Sequence, residues 1–100
     1  MSEQEVMLVT GASKGIGLAT VIQALKAGYA VAATSRNAER LATQVAQAAP
    51  DQQAQFLPLE MQFEATSIQA VVAKVMAQWG RLDVLVNNAG YATLHLAITN

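Results

Sequence analysis

Hydrophobic positions change their spacing several times along the chain, and each change marks an element. "EVMLVT", Glu5 to Thr10, is a short, nearly continuous apolar run followed by glycine, the pattern of a strand covered on both faces. From Ile16 the spacing lengthens: Ile16, Ala19, Ile22 and Leu25, with Leu18 and Val21 beside them, predict a helix, and Gly28 stands where a helix C-terminal glycine belongs. "YAVAAT", Tyr29 to Thr34, predicts a second strand. Asn37 then offers an N-cap for a second helix with Leu41, Val45 and Ala48 on its inner face, stopped by Pro50 and Asp51. "APDQQAQ" reads as a surface loop, and "AQFLPLE", Ala54 to Glu60, as a third strand that Pro58 puts near a sheet edge. Ile68, Val71, Val72, Val75, Met76 and Trp79 make the clearest helical stripe, with Thr66 or Ser67 as its cap and Gly80 at its end. "LDVLV", Leu82 to Val86, is a fourth strand.

Strands that alternate with helices over short links call for parallel pairing through right-handed crossovers. The expected architecture is a doubly wound α/β sheet of four strands in the order 3-2-1-4, with helices on both faces. One hundred residues suit a single domain, 1–100. The apolar share is 53%, but no run approaches the ~20 residues of a membrane span. The acidic, polar start "MSEQEV" lacks the form of a secretory signal, so a soluble, cytoplasmic protein is expected. Absence of cysteine excludes disulfides, thiolate metal sites and cysteine nucleophiles, and the single His95 makes no metal cluster. Six basic and seven acidic residues are scattered without runs, so no nucleic-acid footprint appears.

The candidate chemistry begins where strand one ends. "TGASKGIG", Thr10 to Gly17, places Gly11, Gly15 and Gly17 at the turn into the first helix. In a doubly wound sheet, ligands bind beyond the carboxyl ends of the strands, and this turn lies there. Residues without Cβ let a pyrophosphate approach, while helix-start N–H groups and the helix dipole favour its charge. Close helix packing also selects glycine, so the turn alone leaves a purely structural role open. At the end of strand two an acid would accept from the 2′-hydroxyl of NAD, whereas a basic residue suits the 2′-phosphate of NADP. Ser35 stands at the acid's place and Arg36 follows it, with Lys14 as a second cation in the glycine turn. NADP(H) is therefore expected over NAD(H).

"TGASKGIG" together with "NNAG", Asn87 to Gly90, resembles the short-chain dehydrogenase/reductase family, which carries TGxxxGxG after strand one and NNAG after strand four. The resemblance spans Val6 to Tyr91. It implies that Gly11, Ser13, Lys14, Gly15, Ile16 and Gly17 lie against the cofactor, that Asn87, Ala89 and Gly90 border its adenosine ribose, and that Asn87 also supports the sheet. At the end of strand three the family usually has Asp and a small apolar residue that meet adenine; this chain has Glu60 and Met61 there.

Family catalysis uses a Ser, a Tyr-x-x-x-Lys pair and an Asn in the helix after NNAG, beside a nicotinamide that carries hydride. Tyr29 is followed four residues later by Ala33 and Tyr91 by His95, and no lysine follows Lys74. No catalytic residue is assigned, and the chain alone is expected to reduce no carbonyl. It reads as the N-terminal, NADP(H)-binding portion of an alcohol/carbonyl oxidoreductase; a stand-alone nucleotide-binding or regulatory module is the alternative. Strand four, left at a sheet edge with apolar Leu82, Val84, Leu85 and Val86 and one charge at Asp83, predicts either self-association through that edge or a loosely packed, aggregation-prone monomer.

Overall fold

A computed structural model describes residues 4–12, 15–61 and 64–87 of the chain. Strands β1 (Val6–Thr10), β2 (Ala30–Ser35), β3 (Phe56–Glu60) and β4 (Val84–Asn87) form one sheet in the order β3-β2-β1-β4, all neighbours parallel. Helices α1 (Gly15–Lys26), α2 (Ala38–Ala48) and α3 (Glu64–Trp79) alternate with them. Both the predicted strand order and the doubly wound architecture are present. The differences lie at boundaries and faces.

Every residue of the central strands β1 and β2 is buried. Their side chains alternate between two apolar layers. On one face Met7, Val9, Val31 and Ala33 pack with Val21, Ala24 and Leu25 of α1 and Leu41 and Val45 of α2. On the other, Val6, Leu8, Ala30, Ala32 and Leu59 pack with Val71 and Val75 of α3. A fully buried Val or Leu is worth roughly 1.5–3 kcal/mol, so these two layers supply the main attraction that holds the helices to the sheet.

The face of α1 differs from the expected one, because Ile16 and Ala19 are exposed while Gly17, Val21, Ala24 and Leu25 point inward. Apolar residues surround this helix almost completely, so spacing alone defines no sharp face. Its end follows expectation: Tyr29 N–H donates to Ala24 and Gly28 N–H to Leu25, the paired bonds of a glycine-terminated helix. In α2, Asn37 caps as predicted, its side chain accepting from Arg40 N–H at 3.0 Å, but Ala49 rather than Ala48 is the buried alanine. The expected surface loop is a 3-10 helix, Pro50–Gln55, with Pro at its start. Helix α3 begins at Glu64, which puts Thr66 and Ser67 inside it rather than at its cap, and Met76 is 44% exposed. Strand β3 carries Pro58, in keeping with its place at the end of the sheet among the described residues.

At the amino end of β4, Asp83 ties the strand to β1. Its N–H donates to the Val6 carbonyl at 2.9 Å, and its carboxylate accepts from Val6 N–H at 2.8 Å. Arg81 adds a two-point contact at 2.8 and 2.9 Å. Hydrogen bonding from Arg81 and then from Val6 N–H holds the Asp83 carboxyl below its usual range. A lowered folded-state pKa means that this stabilisation is complete above the ordinary carboxylate pKa of about 4 and is lost as pH falls through the lowered value. Urea unfolding across pH should therefore find Asp83→Asn less stable than the parent at neutral pH, with the gap closing in acid. A gap that does not change with pH would contradict the role given to the charge.

Candidate functional site

Strand register brings the site together. Thr10 pairs with Asn87, Val9 with Ala33, and Ser35 with Glu60, so all four carboxyl ends finish along one side of the sheet. At this row the buried side chains turn polar. Thr10, Thr34 and Ser35 are all at most 5% exposed, and a buried hydroxyl must find a partner.

Beyond β1 the chain turns through Gly11 at φ 69° and enters α1 through Gly15 at φ 64°. Both lie in the left-handed region that costs other residues roughly 1–2 kcal/mol. A Cβ added at Gly15 would meet nothing within 4 Å, so glycine is required there by backbone conformation, and the space before it is open. Gly17 is buried in the first turn of α1, which carries no acidic residue. The first N–H groups of a helix lack intrahelical partners, and the dipole leaves positive potential at that end. Open backbone, donors and potential together fit the pyrophosphate of a dinucleotide. Ile16 projects from this turn with 76% exposure. Ser13 and Lys14 lie outside the described residues.

Ser35 and Arg36 lead from β2 toward α2. The Ser35 hydroxyl accepts from Asn37 N–H at 3.1 Å, which shapes the turn, while Arg36 is exposed beside it. Across the strand pair, Glu60 is exposed and its carboxylate lies 3.5 Å from Ala38 N–H, facing the start of α2. Met61 N–H donates to the Ser35 carbonyl at 3.0 Å, and its side chain is buried in the α3 layer, so only its backbone faces the strand ends. Asn87 accepts from the Thr10 hydroxyl at 2.8 Å, joining β4 to β1 at the same row. The expected supporting role of Asn87 thus has a bond behind it. Ala89 and Gly90 lie outside the described residues, as do Tyr91, His95 and Asn100.

Sequence reasoning missed Thr34. Its hydroxyl accepts from Gly11 N–H at 3.1 Å and its carbonyl from Ala12 N–H at 2.9 Å. The available signal was a hydroxyl at the end of an otherwise apolar buried strand, "AVAATS". Among the described residues, no group of three or more His, Cys, Asp or Glu could hold a metal ion. No helix among them is long and apolar enough to cross a membrane.

Comparison with known proteins follows the same residues. A short chain dehydrogenase family model matches residues 5–99. The chain is 39% identical over 89 residues to a 3beta-hydroxysteroid dehydrogenase of Mediterraneibacter gnavus, covering 88% of this chain and 32% of that protein. It is 40% identical over 90 residues to a D-threitol dehydrogenase of Mycolicibacterium smegmatis, covering 90% and 35%. Among solved structures, a doubly substituted Serratia marcescens short-chain dehydrogenase/reductase aligns with TM-score 0.75 and 36% identity over 91% of this chain and 38% of that one. ElxO with NADP bound aligns with TM-score 0.73 and 30% identity over 91% and 37%. The chain thus spans about a third of the length of these curated relatives. With the glycine turn, the Thr10–Asn87 link and the 3-2-1-4 sheet in register with that match, the chain belongs to the short-chain dehydrogenase/reductase family of oxidoreductases.

Proposed function

We propose that residues 1–100 form the N-terminal, NADP(H)-binding portion of a longer family domain that interconverts an alcohol and a carbonyl. The observation that carries the reading is the open, acid-free start of α1 behind a glycine turn, in line with Ser35 and Arg36 at the next strand end. Gly15, Ile16 and Gly17 would offer their N–H groups to the pyrophosphate. Arg36 would meet the 2′-phosphate with a planar, permanently charged fork, and Lys14 would add charge from the glycine turn. Between Gly28 and Asn37 the sequence offers no acid to receive a 2′-hydroxyl. A relative solved with NADP bound supports the same preference. Bound NADP(H) would supply hydride transfer; the residues named here bind and orient it, and a cytoplasmic setting belongs to the same reading.

Glu60 and the backbone of Met61 would border the adenine side, and Asn87, Ala89 and Gly90 the ribose. Register supports this grouping, since Glu60 pairs with Ser35 and Asn87 with Thr10. We further propose that two copies of the chain associate through β4. Among the described residues it ends the sheet, its Val84, Leu85 and Val86 are only half-buried, and unpaired strand edges recruit other strands.

Two measurements test these proposals. Replacing Arg36 with Ala should weaken NADP(H) about tenfold to a hundredfold, from the roughly 1.5–3 kcal/mol of a charged hydrogen bond, and leave NAD(H) unchanged in a fluorescence titration. Equal losses for both cofactors would overturn the 2′-phosphate assignment. Sedimentation over a range of concentrations should find dimers or larger species that dissociate when Leu85 is replaced with Lys. A compact monomer at every concentration would refute association through β4.

A further inference from the structure

Thr34 stands at 1% exposure on β2, one residue before Ser35, and two of its atoms reach the turn on the neighbouring strand. Its Oγ1 accepts from Gly11 N–H and its carbonyl oxygen from Ala12 N–H, at 3.1 and 2.9 Å. Two consecutive amides of the glycine turn are therefore directed at β2. Gly11, at φ 69°, occupies a region in which glycine has ample freedom, so the turn needs an outside constraint to keep one shape. With Gly11 and Ala12 held, the amides that face an anion among the described residues of the turn are those that open α1. Packing alone does not call for a hydroxyl beside Ala32, Ala33 and the apolar layers; valine has nearly the same shape and would bury no polar group of its own, but it would leave the Gly11 N–H without this acceptor.

We propose that Thr34 is the positioning residue of the glycine turn: by fixing Gly11 and Ala12 from β2, it joins the pyrophosphate seat to the ribose corner at Ser35 and Arg36. The inference rests on the dinucleotide reading above and adds to it a residue that touches no part of the ligand. Because Thr34 acts on the seat shared by both nicotinamide cofactors, its loss should weaken NADPH and NADH alike. That separates it from Arg36, whose loss selects against the 2′-phosphate.

The test compares the parent chain with Thr34→Val and Thr34→Ser. Amide exchange followed by NMR should find the Gly11 amide exchanging about tenfold faster or more in Thr34→Val, as expected when a partly buried N–H loses its acceptor, with Leu8 and Ala32 unchanged. Fluorescence titration should find NADPH and NADH weakened by a common factor of about ten. Thr34→Ser, which keeps the oxygen, should restore Gly11 protection and both affinities. Unchanged Gly11 exchange in Thr34→Val, loss confined to NADPH, or failure of serine to rescue would each overturn the proposal. Should the parent bind neither cofactor, the dinucleotide reading fails while Gly11 exchange still decides whether Thr34 holds the turn. If Thr34→Val does not fold, Thr34→Cys, a weak acceptor of similar size, takes its place with the same expected outcomes.

Discussion

Burial of β1 and β2 on both faces is the constraint from which the rest follows. Strands so enclosed must be apolar along their length and must pair all their backbone groups within the sheet. Parallel pairing then aligns their carboxyl ends, and the chain has to leave each strand for a helix at the same side of the sheet. Polar side chains at that last row cannot remain without partners. Thr10 finds Asn87, Thr34 finds Gly11, and Ser35 finds the Asn37 amide. The same bonds that satisfy the buried ends also shape the turns at which a ligand would sit.

Electrostatics divides the labour between the two helix starts next to this row. Helix α2 is served by the chain itself, through the Asn37 side chain and the carboxylate of Glu60 near Ala38 N–H. Helix α1 begins with glycine and has no acid in its first turn. An anion brought to that side of the sheet meets donors at α1 and a carboxylate near α2, with Arg36 between the strand ends. Such an arrangement suits an extended ligand with phosphate at one end and a ribose corner at the other.

Much of this was legible in the sequence because glycine and proline act through the backbone. The strands were bounded by Gly11, Pro50 and Gly80, and their order followed from the alternation with helices. Asn37 was legible as a cap because its partner, Arg40 N–H, is only three residues away. Faces were harder: α1 is apolar almost all round, so Ile16 and Ala19 could not be told from Val21 and Ala24 by spacing. The start of α3 also escaped, since Thr66 and Ser67 look like caps but lie within a helix that opens at Glu64. In the site, the glycine turn and Arg36 could be read locally. Thr34 could not, because threonine in a strand reads as ordinary β preference and its partner Gly11 is 23 residues distant.

The central claim is that the β1–α1 turn seats a dinucleotide. Mapping NADPH onto the isotopically labelled chain by NMR chemical-shift change tests it most directly. The account predicts that the largest changes fall on Gly15, Ile16 and Gly17, with a second group at Ser35 and Arg36 and little change on the far side of the sheet at Val6 and Asp83. Changes centred on β4 or the exposed side of α3, or none at millimolar cofactor, would contradict it.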